Sequence, residues 1–380
     1  LRMLERICGF ATKRSGEDIA TVIFSSGSEG EPKGVVLTHS NVNHNIESLA
    51  QIVDYHRGDV MMGFLPFFHS FGFTGTLWAP LTHAMSVVYH PSPLEPKTIG
   101  NLVRKYKAFF FVATPTFLQN FTRKCAPEDM QSIRFAICGA EKMPDRVRDG
   151  FKEKFGVEPL EGYGATECSP AISVNVPDHK SAGYHQKGFK RGSVGVAMPG
   201  VAVRAIDPDT GRVLGPNEPG LIEVKGPSVM KGYLDMPEKT AAVLKDGWYS
   251  TGDIAFIDDD GFITITDRLA RFSKVGGEMI SHTKVEATLH DLLNLVDLSL
   301  AVTGVPDDVR GERLVVLHTL EPEQVGELLA KLDQADLPNL AKPRSANFHR
   351  VDAIPVLGTG KLDLKQLKSL AAQYENGSQA

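Results

Sequence analysis

Ten consecutive residues, Ser25 to Gly34 (SSGSEGEPKG), hold three serines, three glycines and one lysine. Glycine lets backbone N–H groups converge on an anion, hydroxyls donate to it, and the Lys33 ammonium offsets its charge. The mixture suits a polyphosphate. It follows an apolar, β-branched run (residues 20–26) that reads as a buried strand, and a helix is expected beyond it. No G-x-x-x-x-G-K-[ST] spacing fits, so this is not a Walker loop. A Ser/Gly-rich stretch of this length also suits a plain surface loop.

Four further segments carry chemistry. In Gly162 to Glu167 (GYGATE) a Gly-x-Gly turn would bring backbone close to a ligand, and Glu167 offers oxygen to a magnesium ion. The last glycine of the dinucleotide fingerprint is missing there, which disfavours a nicotinamide cofactor. In WYSTGD (248–253) Asp253 is expected at a turn, where a carboxylate can accept from both hydroxyls of a ribose or merely stabilise the turn. Asp267 to Ile280 (DRLARFSKVGGEMI) sets Gly276 and Gly277 among basic residues, a pattern for a ligand loop or for a solvated linker. GTGKLD (358–363) places Lys361 at a Gly-flanked tip near the end of the chain.

The elements that must position these groups form two textures. Up to about residue 191, short apolar runs (85–89, 109–113, 135–138) alternate with helix-like segments (96–106, 115–124, 144–155), which implies a largely parallel, covered sheet. Residues 192–267 look β-rich, and 268–380 look like a small α+β domain, so we expect an α/β protein with domains at 1–191, 192–267 and 268–380. With 41 basic and 46 acidic residues the net charge is −5, which argues against nucleic acid as the main partner. Cys8, Cys125, Cys138 and Cys168 form no C-x-x-C pair and read as free thiols of a reducing, cytoplasmic compartment. No apolar run reaches the roughly 20 residues of a membrane span. The chain opens at Leu1 and looks like a piece of a longer protein.

Taken together and in this order, the segments resemble those of the acyl-adenylating superfamily, which includes acyl-CoA synthetases, firefly luciferase and nonribosomal peptide adenylation domains. PFFHSFG (66–72) and GPSVMKGYL (226–234) complete the match. A finer likeness, in SGSEGEPKGV, FHSFG, YHPSPL (89–94), GAEK (139–142) and PVLGTGK, is to the synthetase half of the bifunctional acyl-[acyl carrier protein] synthetase/2-acylglycerophosphoethanolamine acyltransferases. No H-x-x-x-x-D pair is present, so the acyltransferase chemistry is not expected of this chain.

The resemblance implies a ligase that forms a carbon–sulfur bond, using ATP and Mg2+ to activate a fatty acid and passing the acyl group to acyl carrier protein. A fatty acyl-CoA ligase and a catalytically silent nucleotide-binding fragment are the alternatives. It implies that Ser25, Ser26, Gly27, Ser28, Gly30 and Lys33 grip the β- and γ-phosphates. Gly139, Ala140 and Glu141 would line the adenine side with Gly162, Tyr163 and Gly164. Thr166 would touch the α-phosphate, Glu167 would hold the metal, and Asp253 and Arg268 would bind the ribose. His69 would stand where the acyl carboxylate meets the thiol, Lys361 would be the mobile catalytic lysine, and Lys274, Gly276 and Gly277 would serve thiol transfer. Amino-acid-activating relatives carry Asp at the His69 position, so a fatty or aryl acid is favoured. The N-terminal part of the fold would begin before Leu1, and Ala270 stands at the expected pivot of the linker. Residues 109–121 could wall an acyl tunnel or simply build core. The basic segment 179–191 (HKSAGYHQKGFKR) could meet an acidic carrier protein or the inner face of a membrane, or be a solvated loop.

Overall fold

The computed structural model describes residues 15–26, 32–56, 58–295, 297–356 and 362–377. These form two compact units. The first runs in the main to Ile265, and the second gathers the residues from Thr266 onward together with Gly252–Ile254. The architecture is mixed α/β, as the alternation of runs predicts.

The first unit opens with β1 (Ile19–Ser26) and β2 (Pro32–Thr38), joined in one sheet by β14 (Gly232–Tyr233). The helix expected beyond Ser25–Gly34 does follow, but an unanticipated strand comes first. Val35, Val36 and Leu37 are β-formers buried on both faces, so the helix waits until His39. There Thr38 and Asn41 make a reciprocal capping box that starts α1 (His39–Ala50).

The main sheet holds β3 (Val60–Gly63), β4 (Ser86–Tyr89), β5 (Phe110–Ala113), β6 (Phe135–Cys138), β7 (Leu160–Gly164), β8 (Ala171–Val174) and β11 (Val196–Ala197). Its order is β11-β8-β7-β6-β5-β3-β4. β3 to β7 pair in parallel, and β8 and β11 continue the sheet antiparallel. α2 (Pro96–Tyr106), α3 (Pro115–Lys124) and α4 (Asp145–Phe155) connect the parallel strands. α2 and α3 start with proline at their first positions, and α4 stops at Gly156 with φ +74°, where only glycine is unstrained. Phe109, Phe110, Phe111 and Phe121 are all buried among one another and Phe151. Each such burial contributes roughly 1.5–3 kcal/mol. Of the two readings of 109–121, the core is what those rings build.

The remainder of this unit is β-rich. β9 (His179–Ser181) and β10 (Tyr184–Gln186) form a hairpin. β12 (Ala202–Ile206), β13 (Gly220–Lys225), β15 (Leu244–Lys245), β16 (Trp248–Ile257) and β17 (Ile263–Arg268) share a five-stranded sheet, with α5 (Pro237–Val243) between β14 and β15.

In the second unit, β18 (Phe272–Val275), β19 (Glu278–Ser281), β20 (Leu300–Asp307), β21 (Gly311–His318) and β22 (Phe348–Arg350) form one sheet. α6 (His282–Leu293) and α7 (Pro322–Leu332) cover one face, and α8 (Leu364–Gly377) the other. Leu300, Val302, Leu314 and Val316 point to the first face, and Ala301, Val305, Val315 and Leu317 to the second. That alternation is why both central strands read as continuous apolar runs.

Candidate functional site

In the first unit, four separated sequence segments converge. Lys33 stands near the start of β2, and its ammonium lies 5.2 Å above the ring of Tyr233 on β14. The pairing of Tyr233 with Val35 sets that distance. The Tyr233 hydroxyl donates to Oε1 of Glu167 at 2.9 Å. Glu167 is buried, and its carbonyl accepts from the Met230 amide at 2.7 Å, which locks its strip of backbone to the GPSVMKGYL segment. Burial, reinforced by the Glu167 charge, drives the Tyr233 hydroxyl well above the usual phenol range. The same two causes act on Tyr249, which hydrogen-bonds Tyr233. Both phenols therefore stay protonated, and Tyr233 keeps the proton it donates to Glu167. Next to Glu167, the Thr166 hydroxyl lies 3.2 Å from that of Ser70, in the PFFHSFG segment.

Among the described residues no group of three or more His, Cys, Asp or Glu is arranged to hold a metal. A lone buried carboxylate with hydroxyls beside it fits Mg2+, which keeps its waters and takes most of its ligands from phosphates. Glu167 is the residue that would meet it.

His69, exposed, begins the turn at Ser70–Gly72, and its Nδ1 accepts from the Phe71 amide at 3.3 Å. Gly72 is required there, because a Cβ would stand 2.2 Å from the Pro66 carbonyl oxygen. Gly139 packs on the same segment: its added Cβ would lie 3.2 Å from the Gly162 carbonyl and 3.7 Å from the Phe71 ring. Ala140 adopts φ +68°, and the Glu141 carboxylate turns to the start of α3, accepting from the Thr116 hydroxyl at 2.7 Å.

Gly162, Tyr163 and Gly164 were expected in a turn, but they lie in β7. The glycines answer to the neighbouring strand. An added Cβ at Gly162 would be 3.2 Å from the Ser173 oxygen, and one at Gly164 would be 2.3 Å from that of Pro170, beside the irregularity in the β7–β8 register. Tyr163 is half-buried against the core. Ser25 and the backbone of Ser26 end β1, whereas Gly27, Ser28 and Gly30 lie outside the described residues.

In the second unit, Asp253 is buried and its Oδ1 meets Nε of the exposed Arg268 at 3.1 Å. The turn expected at Asp253 is a strand, β16, within which Gly252 adopts φ +77°. Asp267 accepts from the Arg268 amide at 2.8 Å and from the Thr283 hydroxyl at 3.1 Å. Lys274, Gly276 and Gly277 belong to the β18–β19 hairpin rather than to a linker: Lys274 is exposed on β18, and the glycines turn the tip at φ +60° and +90°. Lys361 lies outside the described residues.

The basic segment 179–191 is drawn into internal pairs. Lys190 pairs with Asp258, Lys187 with Asp260 at 3.6 Å, and Arg191 with Asp149 at 2.7 Å. Those carboxylates lie outside the segment, tens of residues away along the chain, so a segment reading alone leaves its cations unpartnered. Ser70, Tyr233 and Tyr249 were also missed, although all three sit inside segments that stood out; side-chain direction decides their part.

Residues 9–234 match the family described as AMP-binding enzyme. The chain is 33% identical over 371 residues to the long-chain-fatty-acid–CoA ligase of Bacillus subtilis (strain 168), spanning 94% of this chain and 62% of that protein. It is 32% identical over 377 residues to 4-coumarate-CoA ligase 1 of Narcissus pseudonarcissus, spanning 96% and 67%. Among solved structures, the o-succinylbenzoate coenzyme A synthetase of Bacillus subtilis in complex with ATP and magnesium superposes with a TM-score of 0.76 at 27% identity, covering 93% of this chain and 70% of that one.

Proposed function

Because the chain belongs to the AMP-binding enzyme family, we propose that the protein carrying it joins a carboxylic acid to a pantetheine thiol through an acyl-adenylate. In the first step a carboxylate oxygen bonds to the α-phosphorus of ATP, and pyrophosphate leaves with the electrons of the broken P–O bond. In the second, a thiolate sulfur bonds to the acyl carbon and AMP leaves.

Both partners of the first step are anions, so the site must offset charge and hold geometry. Lys33 and the serines before it face the phosphates, Thr166 and Ser70 donate to the α-phosphate, and Tyr233 orients Glu167. Magnesium, when bound at Glu167, spreads the charge of the leaving group. Asp253 takes the ribose hydroxyls, with Arg268 beside it, and Lys361 supplies positive charge to the transition state. The convergence of Lys33, Tyr233, Glu167, Thr166 and Ser70 carries this reading.

A fatty acid is the proposed substrate, supported by the absence of an acidic residue at His69 and by the name of the Bacillus relative. Coenzyme A is the proposed acceptor. The relatives' names favour it, and the basic segment read as a surface for an acidic carrier protein has its cations Lys187, Lys190 and Arg191 paired internally. Acyl carrier protein is the acceptor favoured by the finer sequence likeness.

The test is fatty-acid-dependent exchange of labelled pyrophosphate into ATP by the complete protein, followed by addition of coenzyme A or holo-carrier protein. Exchange with coenzyme A-dependent release of AMP is expected. Nucleotide binding without exchange would identify a silent nucleotide-binding protein instead, and release with carrier protein alone would move the acceptor.

A further inference from the structure

The β18–β19 hairpin has a feature that none of the matched segments contains. Its strands pair Phe272 with Ser281, Ser273 with Ile280, Lys274 with Met279 and Val275 with Glu278. Alternation sends Lys274 to solvent and Ser273 inward, where Ser273 is 1% exposed. Its hydroxyl lies 2.8 Å from Nε2 of His282, which is 3% exposed and is the first residue of α6, directly after the hairpin. Room for this contact is reserved by Gly304 on β20, since a Cβ there would stand 1.7 Å from Ser273 Oγ. On the outer side, the Lys274 amide donates to Glu312 at 2.6 Å.

A two-stranded ribbon with a Gly-Gly tip has little to hold its register by itself. The Ser273–His282 contact bolts one strand of the ribbon to the helix that follows the other. A buried hydroxyl and a buried ring nitrogen satisfy each other only in this register; a slip by one residue would turn Ser273 outward and leave the imidazole nitrogen unpaired.

We propose that His282 is a positioning residue for thiol transfer, acting through Ser273 to hold Lys274, Gly276 and Gly277 in the register that meets the incoming thiol. This rests on the reading of the hairpin as the thiol-transfer element. Burial, helped by the charges of Arg271 and Lys368, lowers the His282 ring to about 3, so it works as a neutral hydrogen-bonding group.

The experiment compares the two half-reactions in the complete protein carrying His282→Ala, His282→Gln or Ser273→Ala. Glutamine can place an amide nitrogen near the position of Nε2. Single-turnover consumption of supplied acyl-adenylate by coenzyme A should fall about tenfold or more in the alanine variants, as displaced reacting groups do. Pyrophosphate exchange should stay within about twofold, and His282→Gln should recover most of the thiol step. Equal losses in both half-reactions, or no loss in a folded variant, would overturn the proposal. If His282→Ala does not fold, Ser273→Ala, which removes only a hydroxyl, decides it. Absence of exchange in the unaltered protein would instead remove the adenylation reading, and that result is independent of the variants.

Discussion

In the first unit, Glu167 is buried and takes its hydrogen bond from Tyr233, 66 residues away, while Lys33 rests on that same ring. In the second unit, Arg268 and Lys274 are exposed, and Asp267 beside Arg268 is held by Thr283, 16 residues on. The first arrangement is preorganised by the core, so its charges are oriented before a ligand arrives. The second is organised by local hairpin and helix-start contacts, and its cations Arg268 and Lys274 lie at the surface, Arg268 beside Asp253 at 3.1 Å. Groups that must meet the charge of a transition state gain from the first kind of environment, where little reorganisation is needed. Groups that receive a mobile thiol or a sugar can work in the second.

The comparison can be broken at several points. Lys361→Ala should cost about 10²–10³-fold in pyrophosphate exchange, the scale of one lost transition-state contact, while supplied acyl-adenylate is still consumed by thiol. Retained exchange would remove Lys361 from the first step. Glu167→Ala should lower exchange by about 10–100-fold and raise the Mg2+ concentration needed, an effect titration of Mg2+ would read directly. It should also cost about 1–3 kcal/mol in thermal unfolding, because the Tyr233 hydroxyl loses the carboxylate that accepts its proton.

A pH effect separates the units. The His282 pKa, about 3, lies below its ordinary value of 6.5, so below pH 6.5 the unfolded chain binds the proton that the folded chain refuses. The stabilisation is complete above 6.5 and is lost as pH falls towards 3, amounting to about 2 kcal/mol by pH 5. Hydrogen exchange of the second unit's strands should show that slope, and His282→Gln should flatten it. Tyr233→Phe should cost about 1.5–3 kcal/mol in unfolding, since a buried carboxylate loses a donor, with a modest loss of exchange. Arg268→Ala should move stability by less than about 0.5 kcal/mol, since the side chain is exposed. Its signature is a raised KM for ATP; an unchanged KM would take Arg268 out of the nucleotide site.

Much of the chain could be read before it was seen folded. α2 and α3 keep their expected limits because proline marks each start, and the apolar spacing runs to the last turn. β6 is equally plain, a four-residue apolar run between loops. The glycines of 162–164 misled, because a glycine demanded by an approaching strand looks the same in one dimension as a glycine in a turn. Asp253 likewise lies in a strand, β16, where a turn was expected, and its neighbour Gly252 takes φ +77° inside that strand.

What the residues alone determined was the inventory: a strand-forming run before a serine- and glycine-rich loop, a carboxylate in GYGATE, and two glycines beside Lys274. Local propensity and periodicity act over a few residues, so they are written locally. Only the tertiary structure decided that Tyr233 would bridge Lys33 and Glu167, that Lys190 would pair with Asp258, and that Ser273 would find His282. Those contacts depend on strand register and on which face each side chain takes. Both are settled by the burial of the whole core, to which no single segment holds the key.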